Sequence, residues 1–325
     1  MTQDTRGVVF RTTRPIDSFS CAEAFDRNRG LISLSEQEQL ASSLVVIAGC
    51  GGVGGLHAHT CARLGVGRFR LADADSFSIA NINRQIGATV HTVGKNKAQV
   101  TAEMIGSINP GAQVEVIETN ISTENVAAFV KGADLVIDGV DFFAISARRQ
   151  LFAAAWTAEI PALTAAPLGF SATLHVFAKG GMNFDQYFDI DANQNTFDQI
   201  VRFFVGLAPS GLHLPYMDLS SVDIKAGRGP SSVVGSQMAA SIAGAEALKI
   251  LLKRGPLLLA PNYLQFDCYR QLLRKRKLHG GNRNWVQRLK RKIITKKLRS
   301  LGLDQSYKSS SINISSETSE RFTKN

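Results

Sequence analysis

An α/β fold, built on a mainly parallel sheet with helices on both faces, is what three features of this 325-residue chain predict. The first is alternation. Short apolar runs beginning at Leu44, Phe69, Val114 and Leu135 alternate with helical stretches such as Lys97 to Ile108 and Glu124 to Lys131. The second is LVVIAGCGGVGG, Leu44 to Gly55, in which an apolar run breaks directly into glycines spaced G-x-G-x-x-G at Gly49, Gly51 and Gly54. The third is RFRLADAD, Arg68 to Asp75, a second strand pattern that ends in an acidic pair about twenty positions past the last glycine. Together they describe a Rossmann-like sheet entered through a nucleotide loop.

Each element has a physical reason. Glycines let the backbone turn tightly and approach phosphate, while the following helix offers unpaired amides to negative charge. Such a loop also serves tight packing alone. The acidic end of the second strand supplies what packing does not need, an acceptor for ribose hydroxyls, and Asp73 is the expected ligand. An Asn109-Pro110-Gly111 turn ends the helix from Lys97. IPALTAAPL and SATLHVFAK read as two further strands, the second antiparallel, and Gly235 to Lys253 as a helix of small residues.

The segment after the acidic pair departs from an ordinary dinucleotide-binding redox enzyme. SFSIANINRQIG and then TVGKNKAQ bring Arg84 and Lys97 near the phosphate site. Two cations suit a triphosphate undergoing cleavage, because guanidinium and ammonium groups offset charge that shifts during transfer.

In order and spacing, the series GCGGVG, LADAD, NINRQ, VGKNKA, SINP and LVIDGVD resembles the ThiF/MoeB/HesA family, adenylyltransferases akin to ubiquitin-activating enzymes, over about Asp26 to Arg254. The resemblance implies ATP and Mg2+ as cofactors and adenylation of an acceptor carboxylate, commonly the C-terminal glycine of a ubiquitin-like sulfur carrier. It implies that Gly49, Gly51, Gly52 and Gly54 line the phosphates and that Asp73 and Asp75 belong to the nucleotide site. It further assigns Asn81, Arg84, Gln85 and Lys97 to the triphosphate, with Arg84 and Lys97 steadying the transition state, and Asp141 to magnesium. Arg27-Asn28-Arg29 resembles the family's N-terminal arginine segment, so Arg29 is expected to act in the partner's site of a homodimer. The same polar stretch also suits a solvated surface, and Asp138 also reads as a fold-supporting cap.

Departures from the family pattern are equally informative. Structural zinc in relatives uses two C-x-x-C pairs, whereas Cys21, Cys50, Cys61 and Cys268 are scattered, so no structural zinc is expected. Between Cys61 and Cys268 there is no cysteine, which argues against a thioester-forming step. Cys50 and Cys61 read as small buried apolar side chains, and His57 and His59 as structural. After Asp141 the family continues with asparagine and, five residues on, arginine. Here Phe142 and Phe143 follow, Ser146 takes the fifth position, and the arginines are Arg148 and Arg149.

Expected organisation is an N-terminal extension over 1–25, an ATP-binding domain over 26–269 and a basic tail over 270–325. Within the domain, the aromatic and amide-rich interval 180–229 corresponds to the family's crossover segment. The charge of +10 belongs to the tail: residues 1–269 hold 21 basic and 24 acidic residues, residues 270–299 hold 13 basic and none acidic, and 300–325 hold 3 of each. WVQRLKRKIITKKLRS reads as a basic amphipathic helix with Trp285, Leu289, Ile293 and Leu298 near one face. That pattern suits an anionic membrane, RNA, an acidic partner, or packing on the core. The final stretch from Ser309 reads as disordered. No signal peptide or spanning run is evident, so a cytoplasmic protein is expected. Acceptors consistent with these features are a ubiquitin-like protein, a peptide, or tRNA in a threonylcarbamoyladenosine dehydratase-like reaction. A non-catalytic nucleotide-binding scaffold is the reading from outside enzymology.

Overall fold

The computed structural model describes residues 8–10, 19–218 and 229–300. The disordered stretch expected from Ser309, residues 219–228 of the expected crossover and most of the N-terminal extension lie outside the described residues.

A nine-stranded sheet runs in the order β1-β4-β3-β2-β5-β6-β7-β8-β9. Its centre is parallel: β2 (Leu44–Ala48) lies between β3 (Arg68–Ala72) and β5 (Leu135–Asp138), flanked by β4 (Gln113–Ile117) and β6 (Ala162–Leu168). The remaining strands pair antiparallel: β1 (Val8–Phe10) on β4, then β7 (Ser171–Phe177), β8 (Asn262–Asp267) and β9 (Leu272–Lys277) beyond β6. The mainly parallel sheet followed by antiparallel strands agrees with the sequence, and four strand patterns begin within one residue of where their apolar runs place them.

Helices cover both faces. They are α1 (Cys21–Ala24), α2 (Leu34–Ser42), α3 (Gly54–Arg63), α4 (Lys97–Ile108), α5 (Val126–Val130), α6 (Ile145–Thr157), α7 (Phe184–Phe188), α8 (Thr196–Leu207), α9 (Val233–Leu251) and α10 (Trp285–Ser300). β2 is buried on both sides, which is why its sequence reads as an unbroken apolar run rather than an alternation. Val45 and Ile47 join the core beneath α3, α4 and α9, while Leu44, Val46 and Ala48 join the core beneath α5 and α6. α9 lies close to the sheet through Ala239, Ala243 and Ala247. At Gly244 a side chain would come within 2.7 Å of Thr60, so the small residues set how near α9 and α3 can sit.

Within the interval 180–229, Asn183 and Asn195 cap α7 and α8, and Phe184, Tyr187, Phe188 and Phe203 fill the core over β7. One boundary differs from the sequence expectation. The sheet continues past residue 269, because β9 pairs residue for residue with β8 despite its basic sequence. An edge strand has one solvated side, so lysines and arginines fit there and also discourage edge-to-edge association.

Three histidines sit inside this core. Burial lowers the pKa of His57 to about 3 and those of His175 and His213 to about 4, so all three are neutral when folded. In the unfolded chain they take up protons below about 6.5, and stability is therefore present above that pH and lost as pH falls toward the folded values. Between pH 6.5 and 5 each is expected to cost about 1–2 kcal/mol. Urea unfolding midpoints measured across that range should drop, and His57→Gln should flatten the slope.

Candidate functional site

The site forms where the chain reverses direction across the sheet, at the carboxyl ends of β2, β3 and β5. Three glycines make it possible. Gly49 has φ +86°, and a Cβ there would collide with the Gly139 carbonyl. A Cβ on Gly54 would overlap the Gly49 carbonyl, so the loop, the start of α3 and the end of β5 touch backbone to backbone. No side chain caps α3, whose N-cap is Val53, and its first-turn amides remain available to an anion.

Asp73 ties the loop to β3. Its Oδ2 accepts from the Cys50 amide at 2.7 Å and its Oδ1 from the Asp75 amide at 2.9 Å. Burial raises its pKa, against those two amide bonds. Asn96 caps α4 by accepting from the Ala98 and Gln99 amides and donates to the Asp73 carbonyl at 3.0 Å. Lys97, in the first turn of α4, has a buried stem, and its Nζ meets Asp75 Oδ2 at 2.8 Å. Asp75 thus holds the Lys97 ammonium beyond the carboxyl end of β3.

The segment from Ile79 to Gln85 closes the loop from outside. Gln85 is buried against Gly51, with its Oε1 unpaired, and the Arg84 guanidinium lies over Gly52. Arg84 is aimed by bonds to the Ala80 carbonyl and Asn83 Oδ1, both at 2.9 Å. Asn81 is engaged locally: its Oδ1 accepts from the Ser78 amide at 3.0 Å and so holds the turn that carries Arg84. Asn83 Nδ2 reaches the Ser231 carbonyl at 3.2 Å, joining this segment to the approach of α9.

Asp141 stands exposed just beyond β5, its Oδ1 accepting from the Phe143 amide at 2.9 Å. Among the described residues no cation pairs with it. A hydrated magnesium ion fits this donor, since that ion keeps several waters and takes one or two carboxylates along with substrate phosphate. Arg29 is also exposed, pairs with Asp26 at 3.0 Å and is not brought to the glycine loop of its own chain.

Sequence reasoning missed the group that holds Asp141 in place. Arg148, in α6, is buried with Asp138 and donates to its Oδ2 at 2.8 Å. It also donates to the carbonyls of Val140, Asp141 at 3.1 Å and Phe142 at 3.3 Å. Asp138 is therefore fold-supporting, and the arginine displaced from the family position clamps the loop from within. The signal was an aspartate ending a strand and an arginine one turn into the next helix. Phe142 packs on Phe203 and Phe204, joining the loop to α8.

The thiols divide as expected. Cys50 and Cys61 are fully buried, and burial pushes the Cys61 thiol up to about 12 and Cys50 higher still.

Replacing Arg148 with alanine leaves the buried Asp138 without its cation, and the expected loss is about 3–5 kcal/mol of unfolding free energy. Arg148→Lys should lose less, and denaturant unfolding of both variants measures the difference.

Comparison with known proteins fits this geometry. The chain is 34% identical over 145 residues to the sulfur carrier protein ThiS adenylyltransferase of Escherichia coli, an alignment covering 45% of this chain and 57% of that protein. It is 39% identical over 118 residues to the tRNA threonylcarbamoyladenosine dehydratase of Bacillus subtilis, covering 36% and 46%. The chain thus spans about half the length of the curated relatives it matches. The crystal structure of Escherichia coli MccB with ATP superposes with a TM-score of 0.57 at 20% identity, covering 76% of this chain and 66% of that one, and shows the same fold. The model of the ThiF family matches residues 25–285, and the chain belongs to the ThiF family.

Proposed function

We propose that this protein binds ATP with magnesium and adenylates an acceptor carboxylate. The observation that carries the reading is the convergence of the glycine loop, Asp73, Arg84, Lys97 and Asp141 on one end of the parallel sheet. Asp73 takes the ribose hydroxyls, and the loop amides and the start of α3 take the phosphates. Arg84, Gln85 and Lys97 line the triphosphate, with Asn81 supporting the turn beneath Arg84. Asp141 would hold magnesium, which when bound would offset charge on the phosphate oxygens.

The acceptor oxygen attacks the α-phosphorus, a new O–P bond forms, the bond to the bridging oxygen breaks, and pyrophosphate leaves. Lys97, released from Asp75, and Arg84 offset the charge that moves onto the phosphates. No protein nucleophile is required, consistent with the inert thiols of Cys50 and Cys61. The acceptor we favour is the carboxyl end of an extended polypeptide. Ala165–Leu168 continue β6 beyond its last pairing with β5, at Asp138↔Thr164, and among the described residues no strand pairs with them on that side, which suits an added strand that would end near the carboxyl end of β5.

ATP–pyrophosphate exchange tests the reading, run with a ubiquitin-like carrier, short peptides and total tRNA in separate arms. Asp141→Ala and Lys97→Ala should each reduce exchange by roughly 100-fold or more while Arg63→Ala does not. Exchange that survives both variants, or that tRNA alone supports, would sink the proposed mechanism or acceptor respectively.

We further infer a homodimer in which Arg29 enters the partner's site. The reading is supported by exposed apolar residues beside it, Leu31 at 75% and Leu34 at 64%, by Ile79 at 76% on the segment over the loop, and by Val90 at 79% just after it. Mixing Arg29→Ala protein with Lys97→Ala protein should restore roughly a quarter of wild-type exchange, because half of the dimers are mixed and each has one intact site. No recovery on mixing would argue that Arg29 does not act across subunits.

A further inference from the structure

α10 has two apolar faces, and the fold uses one. Ile294 and Leu298 pack on Phe197, Val201 and Val205 of α8. Gln287 donates to the Val205 carbonyl at 3.1 Å, Lys290 to the Pro209 carbonyl at 2.6 Å, and Arg291 pairs with Asp189 at 3.0 Å. On the opposite side Trp285, Leu289 and Ile293 recur every four residues and are 73%, 52% and 59% exposed. The helix therefore departs from the sequence expectation at Leu298, which lies nine residues, or two and a half turns, from Leu289 and so on the other face.

Cations border the exposed stripe. Arg288, Lys292, Lys296 and Lys297 are exposed, and none of these four pairs with a carboxylate among the described residues. Residues 270–299 contain no acidic side chain to answer them. A nucleic acid would be served by the cations and a stacking tryptophan, and gains nothing from the leucine and isoleucine that continue the row. The cavity that Lys292 and Lys296 line lies at the seam of α10 with α8, beside Arg202 and Arg291, and none of Trp285, Leu289 and Ile293 lines it, so an acidic peptide seated there would leave the apolar stripe uncovered. A bilayer surface with anionic headgroups takes both features at once: the apolar side chains enter the headgroup and acyl boundary while the lysines meet lipid phosphates. No described helix is long and apolar enough to cross a membrane, so α10 lies on the surface rather than through it.

We propose that the outward face of α10 docks this protein on a bilayer surface carrying anionic lipids, with Trp285, Leu289 and Ile293 inserted. This does not depend on the adenylation reading, and the inner face of the helix stays on α8.

The chain has two tryptophans, Trp156 and Trp285, so full-length Trp156→Phe protein reports Trp285 alone. Its fluorescence should shift to shorter wavelength on vesicles of phosphatidylcholine with phosphatidylglycerol and not on phosphatidylcholine alone, and added salt should weaken the binding. Leu289→Glu with Ile293→Glu should abolish sedimentation with the anionic vesicles while leaving the circular dichroism and ATP binding unchanged. Absence of a shift, equal binding to phosphatidylcholine alone, or a shift produced by tRNA and not by vesicles would overturn the proposal. So would emission already at short wavelength without vesicles, which would mean that residues 301–325 or a second copy covers the stripe.

Discussion

Backbone contact among Gly49, Gly54 and Gly139 is the constraint on which the rest of this structure depends. A β-carbon at any of the three would strike main-chain atoms of another, so the end of β2, the start of α3 and the end of β5 can meet only if all three side chains are absent. That meeting brings the glycine loop, the start of α3 and the turn that leads from β5 to Asp141 together at one end of the sheet. It also explains why the acidic end of β3 faces the loop: the Gly49 amide donates to Ala72 at 2.7 Å and the Cys50 amide to Asp73 at 2.7 Å.

Around this centre, two buried or half-buried carboxylates organise the parts that the glycines do not reach. Asp138 fixes Arg148, and Arg148 in turn holds three carbonyls of the loop that carries Asp141. Asp189, in the left-handed conformation at the end of α7, gathers Arg202, Arg283 and Arg291, so that α8 and α10 converge on one side chain. The first arrangement serves the nucleotide end of the sheet. The second turns a basic C-terminal sequence into a helix seated on the domain, with an apolar stripe left facing outward.

Much of the fold and of the nucleotide end was legible because it rests on local chemistry. The glycine spacing, the apolar runs and the Asn109-Pro110-Gly111 turn each act within a few residues, and the helix from Lys97 to Ile108 has the limits its pattern indicates. Residues whose partners lie far along the chain were not legible. Gln85 and Asn81 appear alike in the motif, yet one is buried against the loop and the other braces its own turn. The basic run of β9 reads as tail by charge, and only its pairing with β8 makes it a strand.

By itself, then, the sequence determined the parallel sheet, the position of the nucleotide loop and the set of charged residues near it, because backbone sterics and periodicity are local properties. Tertiary structure alone decided which charges pair. It gave Lys97 to Asp75, Arg148 to Asp138 and three arginines to Asp189, and it divided α10 into a docked and an exposed face. The physical reason is that an ion pair or a packed face depends on distances between segments brought together by folding, which spacing along the chain hints at for Arg148 and Asp138 and does not encode for the others.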